Sequence, residues 1–161
     1  CKVFYPLAYY CAYFSIRADA FDYEKMAMGR ERLEYYLDIY KAKKADGTIE
    51  KTELDEYKDM RIVQEMYARG YEFTPIDIYK AKARSFQIID GKIMPSFKVV
   101  SKIGESAGES IEIAARGGKF LSKDDLRQRA KIGQTVIDKL SELKLLDGMA
   151  ESNQLSLFDV L

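Results

Sequence analysis

Ser101-Lys102-Ile103-Gly104 returns 29 residues later as Ala130-Lys131-Ile132-Gly133, so the chain contains the phrase small-Lys-Ile-Gly twice. In each copy an apolar residue lies seven positions after the glycine, at Ile111 and at Leu140, and a glycine-containing stop follows. Glycine permits a tight turn, and seven positions correspond to two turns of the helix that follows, so each apolar residue lies at the same place on its helix. The repeat therefore predicts two short helices, each entered through a tight turn.

Each turn is suited to hold a phosphate group. The glycine lets the backbone approach a ligand closely, and the amide N–H groups at the start of the next helix attract an anion. A tandem helix-hairpin-helix module has this pattern, and such contacts hold a duplex by its backbone without reading its sequence. The residues that the pattern assigns to DNA binding are Lys102, Gly104, Ser106, Arg127, Arg129, Lys131, Gly133, Gln134 and Thr135.

Two features depart from the usual hairpin, which has two glycines separated by one residue. Lys102 and Lys131 stand where the first glycine would be. Glu105, directly after the first retained glycine, places a negative charge where a phosphate would approach. The second copy, with Arg127 and Arg129 upstream of it, is the stronger candidate. The alternative is that both turns only pack helix against helix.

The charge of the 161-residue chain is zero overall but uneven along its length. Residues 91–146 carry 11 Lys and Arg against 7 Asp and Glu, whereas residues 147–161 carry no Lys or Arg and 3 acidic residues. This balance argues against a strongly basic, free-standing DNA-binding protein. It leaves a basic segment around the repeat, followed by an acidic tail.

The residue types limit the chemistry and the compartment. The chain has no histidine, which excludes His-based triads and most zinc sites. Two cysteines cannot build a disulfide framework, so we expect the reducing cytoplasm. The apolar run from Val3 to Ile16 contains Pro6 and is too short to span a bilayer, so no membrane partner is expected. Because the sequence opens on Cys1 without a Met, we expect it to be part of a longer protein.

The hydrophobic periodicity predicts a mainly α fold with a small β element. Pro6 opens a first helix whose aromatic stripe is either core packing or a base-stacking surface. Two long amphipathic helices, over 23–44 and about 49–69, are expected to form an antiparallel pair. Alternating residues then predict short strands on both sides of Asp90-Gly91 and an earlier one over 71–75.

These elements divide the chain into three parts. They are a helical segment over residues 1–70, a duplex-binding domain over 71–150 with the β element at 71–100 and the tandem hairpins at 99–148, and a flexible tail over 151–161.

The tail carries a second motif, Gln154-Leu155-Ser156-Leu157-Phe158. Three large apolar residues on a terminal segment have little chain left to bury them, which suits a protruding peptide that fills a pocket on a partner. The alternative is that these residues fold back on their own domain.

Several segments of this sequence, taken together, resemble the C-terminal end of the PolC-type DNA polymerase III alpha subunit of Gram-positive bacteria. The resemblance covers essentially the whole sequence. Its main phrases are Tyr5-Pro6-Leu7-Ala8-Tyr9-Tyr10, Ala12-Tyr13-Phe14-Ser15-Ile16-Arg17-Ala18, Asp77-Ile78-Tyr79, Ile88-Ile89-Asp90-Gly91, Phe120-Leu121-Ser122-Lys123-Asp124-Asp125-Leu126 and Asn153-Gln154-Leu155-Ser156-Leu157-Phe158.

The resemblance implies that residues 1 to about 70 end the fingers region and that the following domain grips duplex DNA. It implies that the tail docks on the sliding clamp (the beta subunit), because Gln154, Leu155, Leu157 and Phe158 match the family motif Gln-Leu-x-Leu-Phe. The family's catalytic carboxylates, with their Mg²⁺, belong to an upstream domain of the same polymerase chain. No catalytic residue, metal ligand or cofactor site is therefore expected here.

Two other readings of the residues stay open. One is a helix-hairpin-helix module of a DNA repair enzyme, although the expected catalytic Lys or clustered Cys is missing. The other is a protein-interaction scaffold without DNA contact, in which the basic segment would be incidental.

Overall fold

Helices dominate the computed structural model, which describes residue 2 and residues 4–153. They are α1 (Pro6–Ile16), α2 (Tyr23–Met26), α3 (Arg30–Asp46), α4 (Lys51–Ala68), α5 (Gly104–Ala115), α6 (Lys123–Ala130) and α7 (Gln134–Glu142). Between α4 and α5 lie β1 (Gln87–Ile89) and β2 (Lys92–Met94), and 3-10 turns occupy Ala18–Ala20 and Phe97–Val99. The predicted fold class, mainly α with a small β element, is confirmed.

The first helix packs its aromatic stripe into the core. Tyr10 and Phe14 are fully buried. The centroid of the Phe14 ring lies 5.2 Å from the ring centroid of Phe21 and 5.7 Å from that of Phe73. The Tyr10 hydroxyl donates a 2.6 Å hydrogen bond to Glu65 of α4. Of the two roles considered for this stripe, core packing is the one that these two rings fill.

The predicted antiparallel pair is formed by α3 and α4. Lys43 of α3 and Glu53 of α4 form an ion pair of 2.6 Å close to the connecting turn. At the other end of α4, the Tyr67 hydroxyl donates to the carbonyl of Met26 in α2, shortly before α3. The single helix predicted over 23–44 is wrong, because the chain breaks before α3 at Gly29. The φ angle of that glycine is +104°, which a continuing right-handed helix does not permit.

The β element is a two-stranded antiparallel hairpin. Gln87 pairs with Met94 and Ile89 with Lys92, and the turn residues Asp90 and Gly91 have φ of +52° and +76°. Two consecutive left-handed residues are what a two-residue hairpin turn needs, as Asp-Gly predicts. The strand predicted over 71–75 is reduced to one parallel bridge between Phe73 and Ile93, so that prediction was wrong in extent.

One continuous cluster of buried apolar residues runs from Tyr10 to Leu146. It joins the helical segment, the β hairpin and the three short helices α5, α6 and α7. The two turns that precede α5 and α7 therefore stand on the same core as α1 to α4. No helix among the described residues is both long and apolar enough to cross a bilayer.

Gly108 provides a test of how closely α5 packs. A Cβ added there would lie 2.7 Å from Cβ of Phe97, whose side chain is fully buried. Replacing a helical glycine by alanine ordinarily stabilises a helix, but here the added methyl must displace the core. We expect Gly108→Ala to lower the free energy of unfolding by about 1–3 kcal/mol in urea titrations. Ser106→Ala on the exposed side of α5 is the control, and a gain in stability from Gly108→Ala would contradict the packing.

Candidate nucleic-acid interface

The second turn is a compact link between α6 and α7. After Ala130 the backbone of Lys131 adopts the left-handed conformation, with φ 56° and ψ 45°, and its N–H donates to the carbonyl of Arg127. Ile132 is buried, and Gly133 then caps the start of α7 in an extended conformation, with φ −81°. The turn therefore buries its isoleucine and leaves the lysine and the glycine exposed.

The first turn likewise has an exposed lysine, a buried isoleucine and an exposed glycine, but the helix that precedes it is shorter. The 3-10 turn Phe97–Val99 takes the place of a full first helix, and Lys102 again has a left-handed backbone, with φ 71°. Ile103 is buried, and exposed Gly104 has φ 69°. Both lysines thus stand where the usual hairpin has its first glycine, and both adopt the conformation that favours glycine.

Both turns present amide groups that the fold leaves unused. Within the described residues, no protein acceptor contacts the amide N–H groups of Gly104, Glu105 and Ser106, or those of Gly133, Gln134 and Thr135. These groups open α5 and α7, where the helix dipole also favours an anion. The side chains of Ser106 and Thr135 are exposed beside them. Each turn therefore presents unpaired amide groups that are suited to an anion.

The charges around the turns also favour an anion. Lys102 and Lys131 are exposed and form no ion pair within the described residues, and Arg127 is half-buried and also without one there. Arg84 forms ion pairs with Glu105 and Glu109. The negative charge of Glu105 is therefore countered by a residue that the sequence pattern did not single out, since 21 positions separate the two.

Arg129 is placed differently from the other predicted contacts. Its guanidinium donates to the carbonyls of Ala114, Gly118 and Lys119, at 2.9, 3.1 and 3.0 Å, and pairs with Asp125 at 3.4 Å. It also lies 4.5 Å above the Phe120 ring. Most of its hydrogen-bonding capacity is used inside the protein.

Glu24 of α2 joins the helical segment to both turns. It forms an ion pair with Lys139 of α7, whose side chain is only 7% exposed, and accepts a hydrogen bond of 3.4 Å from Ser101. The hydrogen bond with Glu24 raises the pKa of Lys139, so this lysine stays charged. A second link, at 3.2 Å, connects Lys98 with Asp19. These contacts place both turns on one support.

The tail leaves the fold beside the start of α6. Lys123 and Asp124 donate their amide groups to the carbonyls of Ala150 and Glu151, at 2.8 and 3.2 Å. The predicted clamp-binding residues Gln154, Leu155, Leu157 and Phe158 lie outside the described residues. The described residues contain no group of three or more His, Cys, Asp or Glu that could hold a metal ion.

Comparison with known proteins gives two results. The family model for a helix-hairpin-helix motif matches residues 70–155, which include both turns. The chain is also 39% identical over 160 residues to the DNA polymerase III PolC-type of Streptococcus pneumoniae strain D39. The corresponding protein of Streptococcus suis strain 98HAH33 is 41% identical over 158 residues. The matches cover 99% and 98% of this chain but only 11% of each relative. The resemblance seen in the sequence is confirmed.

Lys131 allows the left-handed turn to be tested for strain. A non-glycine residue in this conformation costs about 1–2 kcal/mol, and the extra freedom that glycine gives the unfolded chain offsets about 0.4–1 kcal/mol. We therefore expect Lys131→Gly to raise the free energy of unfolding by about 0.5–1 kcal/mol in urea titrations. Lys144→Gly, at another exposed lysine with φ 61°, should give a similar gain. A loss of stability in Lys131→Gly alone would show that the lysine side chain supports the turn.

Proposed function

Because the chain belongs to the helix-hairpin-helix family, we propose that it grips duplex DNA through the backbone amides of its two turns, without reading base sequence. The observation that carries this proposal is the repeated arrangement of a left-handed, exposed lysine, a buried isoleucine and an exposed glycine at both turns. In each copy unused amide groups follow the glycine. Lys102 and Lys131 would add charge to phosphates that these amides hold.

The contacts proposed for each turn follow from exposure and from hydrogen-bonding groups that the fold leaves unused. At the first turn they are the amides after Gly104, with Lys102 and Ser106 beside them. At the second turn they are the amides from Gly133 onward, with Arg127, Lys131, Gln134 and Thr135 beside them. Arg127 is half-buried and the other three are exposed. The second turn is the less encumbered of the two, because Glu105 and its partner Arg84 stand beside the first.

We further propose that this grip serves a replicative DNA polymerase. The chain spans about a tenth of the length of its curated relatives, which are described as DNA polymerase III PolC-type. Nucleotide addition with Mg²⁺ would then belong to carboxylates elsewhere in such a protein, and the residues described here would hold the duplex product. A cytoplasmic location follows from the same proposal.

The tail would tether that polymerase to the sliding clamp. Support comes from the sequence, in which Gln154-Leu155-Ser156-Leu157-Phe158 matches the clamp-binding pattern Gln-Leu-x-Leu-Phe. The apolar residues would fill a pocket on the clamp, and Gln154 would hydrogen-bond at its rim. A short peptide binds weakly alone, but attachment to a DNA-bound chain raises its effective concentration.

Gly133 gives the sharpest test of the DNA grip. Its backbone is extended, and a Cβ added there would meet no atom within 4 Å, so a side chain costs the fold little. It would, however, stand between the amides and a phosphate. We expect Gly133→Val to weaken binding to duplexes of any sequence about tenfold or more, measured by fluorescence anisotropy. The free energy of unfolding should fall by no more than about 1 kcal/mol, because valine is a poorer N-cap than glycine.

Lys131→Gln should reduce the slope of log affinity against log salt by about one, because one phosphate contact is lost. Lys41→Gln, an exposed charge on α3, is the matched control and should change neither the affinity nor the slope. Unchanged duplex binding in both Gly133→Val and Lys131→Gln would contradict the DNA proposal.

For the tail, we expect replacement of Leu157 and Phe158 by Ala to abolish retention of the chain on immobilised sliding clamp, since both pocket-filling side chains are lost. Thermal stability and duplex affinity should be unchanged, as the tail would belong to neither the core nor the DNA grip. A large drop in melting temperature would instead favour the alternative in which these residues fold back on their own domain.

A further inference from the structure

We propose that Arg129 is a positioning residue that fixes the orientation of the two turns relative to each other, so that both can hold the same duplex. This inference rests on the proposed DNA grip and assigns Arg129 a role in it other than phosphate contact.

The contacts of the guanidinium group carry the inference. Its Nη2 donates to the carbonyls of Ala114 and Gly118, and its Nη1 donates to the carbonyl of Lys119 and to the carboxylate of Asp125. Of the five N–H groups of a guanidinium, four are thereby used within the protein. A phosphate could be bound only by giving up some of these contacts, and the side chain is only 28% exposed.

The position of these partners in the chain explains what the contacts hold together. Ala114 lies in the last turn of α5, the helix that the first hairpin turn opens, and Gly118 and Lys119 follow it in the connection to α6. A cation is favourable at a helix C-terminus, where carbonyl groups lack partners. Arg129 itself belongs to α6, two positions before Lys131. One side chain thus joins the end of the first hairpin unit to the helix that leads into the second turn.

The connection between the two units is held at its other side as well. The Phe120 ring lies under the guanidinium, and Asp125 accepts a hydrogen bond of 2.8 Å from the amide of Leu121. Asp125 and Arg129 are one helical turn apart on α6, so they hold the connection together. The segment between α5 and α6 is therefore fixed in one geometry by packing and by hydrogen bonds.

A fixed geometry matters because each turn offers only a few contacts. When two weak sites are joined rigidly at the spacing of their targets, the second contact forms at a high effective concentration. If the angle between the units is lost, each turn can still bind a phosphate, but both no longer bind one duplex together. The loss then depends on duplex length.

Gly117 provides an independent way to disturb Arg129. A Cβ added there would lie 2.9 Å from Nη2 of Arg129 and 3.3 Å from the carbonyl oxygen of Ala114, which accepts from the same guanidinium. The φ angle of Gly117 is not positive, so alanine can adopt the backbone conformation. Gly117→Ala should displace the guanidinium without removing any charge. It therefore separates the position of Arg129 from its charge.

The test measures affinity for a series of duplex lengths with the whole 161-residue chain, comparing the wild type with Gly117→Ala, Arg129→Lys, Arg129→Gln and Arg127→Gln. For the wild type we expect affinity to rise sharply once the duplex is long enough to reach both turns. In Gly117→Ala and both Arg129 variants this rise should fall about tenfold or more, while binding of the shortest duplexes changes less than about twofold. Lysine should not restore it, because it cannot make four directed hydrogen bonds.

The remaining outcomes distinguish the possible failures. If Arg129→Lys restores binding, or Arg129→Gln weakens binding equally at all lengths and lowers the salt slope by about one as Arg127→Gln should, then Arg129 contacts phosphate and the inference is wrong. A length-dependent rise that persists in Gly117→Ala also overturns it, while leaving the DNA grip intact. Absence of duplex binding in the wild type overturns the proposed function itself.

Discussion

Each of the two turns that precede α5 and α7 depends on burying one isoleucine while the residues on both sides of it stay at the surface. Ile103 and Ile132 reach the core, and the chain must turn sharply just before each of them. The left-handed backbone of Lys102 and Lys131 makes that turn, which glycine would make at lower cost. The same geometry holds each lysine outside the core and leaves the amides after the next glycine without partners. Packing and the candidate function therefore rest on one local conformation.

Local sequence patterns predicted most of the fold, because the elements concerned are specified by nearby residues. Asp90-Gly91 formed the expected hairpin turn, and the repeated phrase gave two helices entered through tight turns. The errors are also local in origin. Within 23–44 a single glycine, Gly29, interrupts the helix, and over 71–75 the alternation predicts a longer strand than the one bridge that forms. In both cases the apolar pattern alone does not fix the backbone conformation.

The site was predicted less completely, because some of its support comes from residues distant in sequence. Arg84 counters Glu105, and Glu24 joins Ser101 to Lys139, yet nothing in the local patterns around Arg84 or Glu24 marks these contacts. Arg129 shows the converse limit. Its charge and its place before the second turn predict a DNA contact, but only the fold reveals that α5 ends within its reach. Residue type and spacing identify which charged residues lie near the turns, whereas tertiary packing decides which of them remain available.

This availability explains how a chain with zero net charge could bind a polyanion. In the helical segment several charges are matched within the protein, as in the pairs Arg17 with Asp59 and Lys43 with Glu53. At the turns the lysines are exposed and have no ion pairs within the described part of the chain. Because salt screens exposed charges over about 10 Å, a duplex responds to the nearby lysines more than to the overall sum. A neutral chain with two charged turns would bind DNA weakly at each turn and gain its affinity from holding both at a fixed angle.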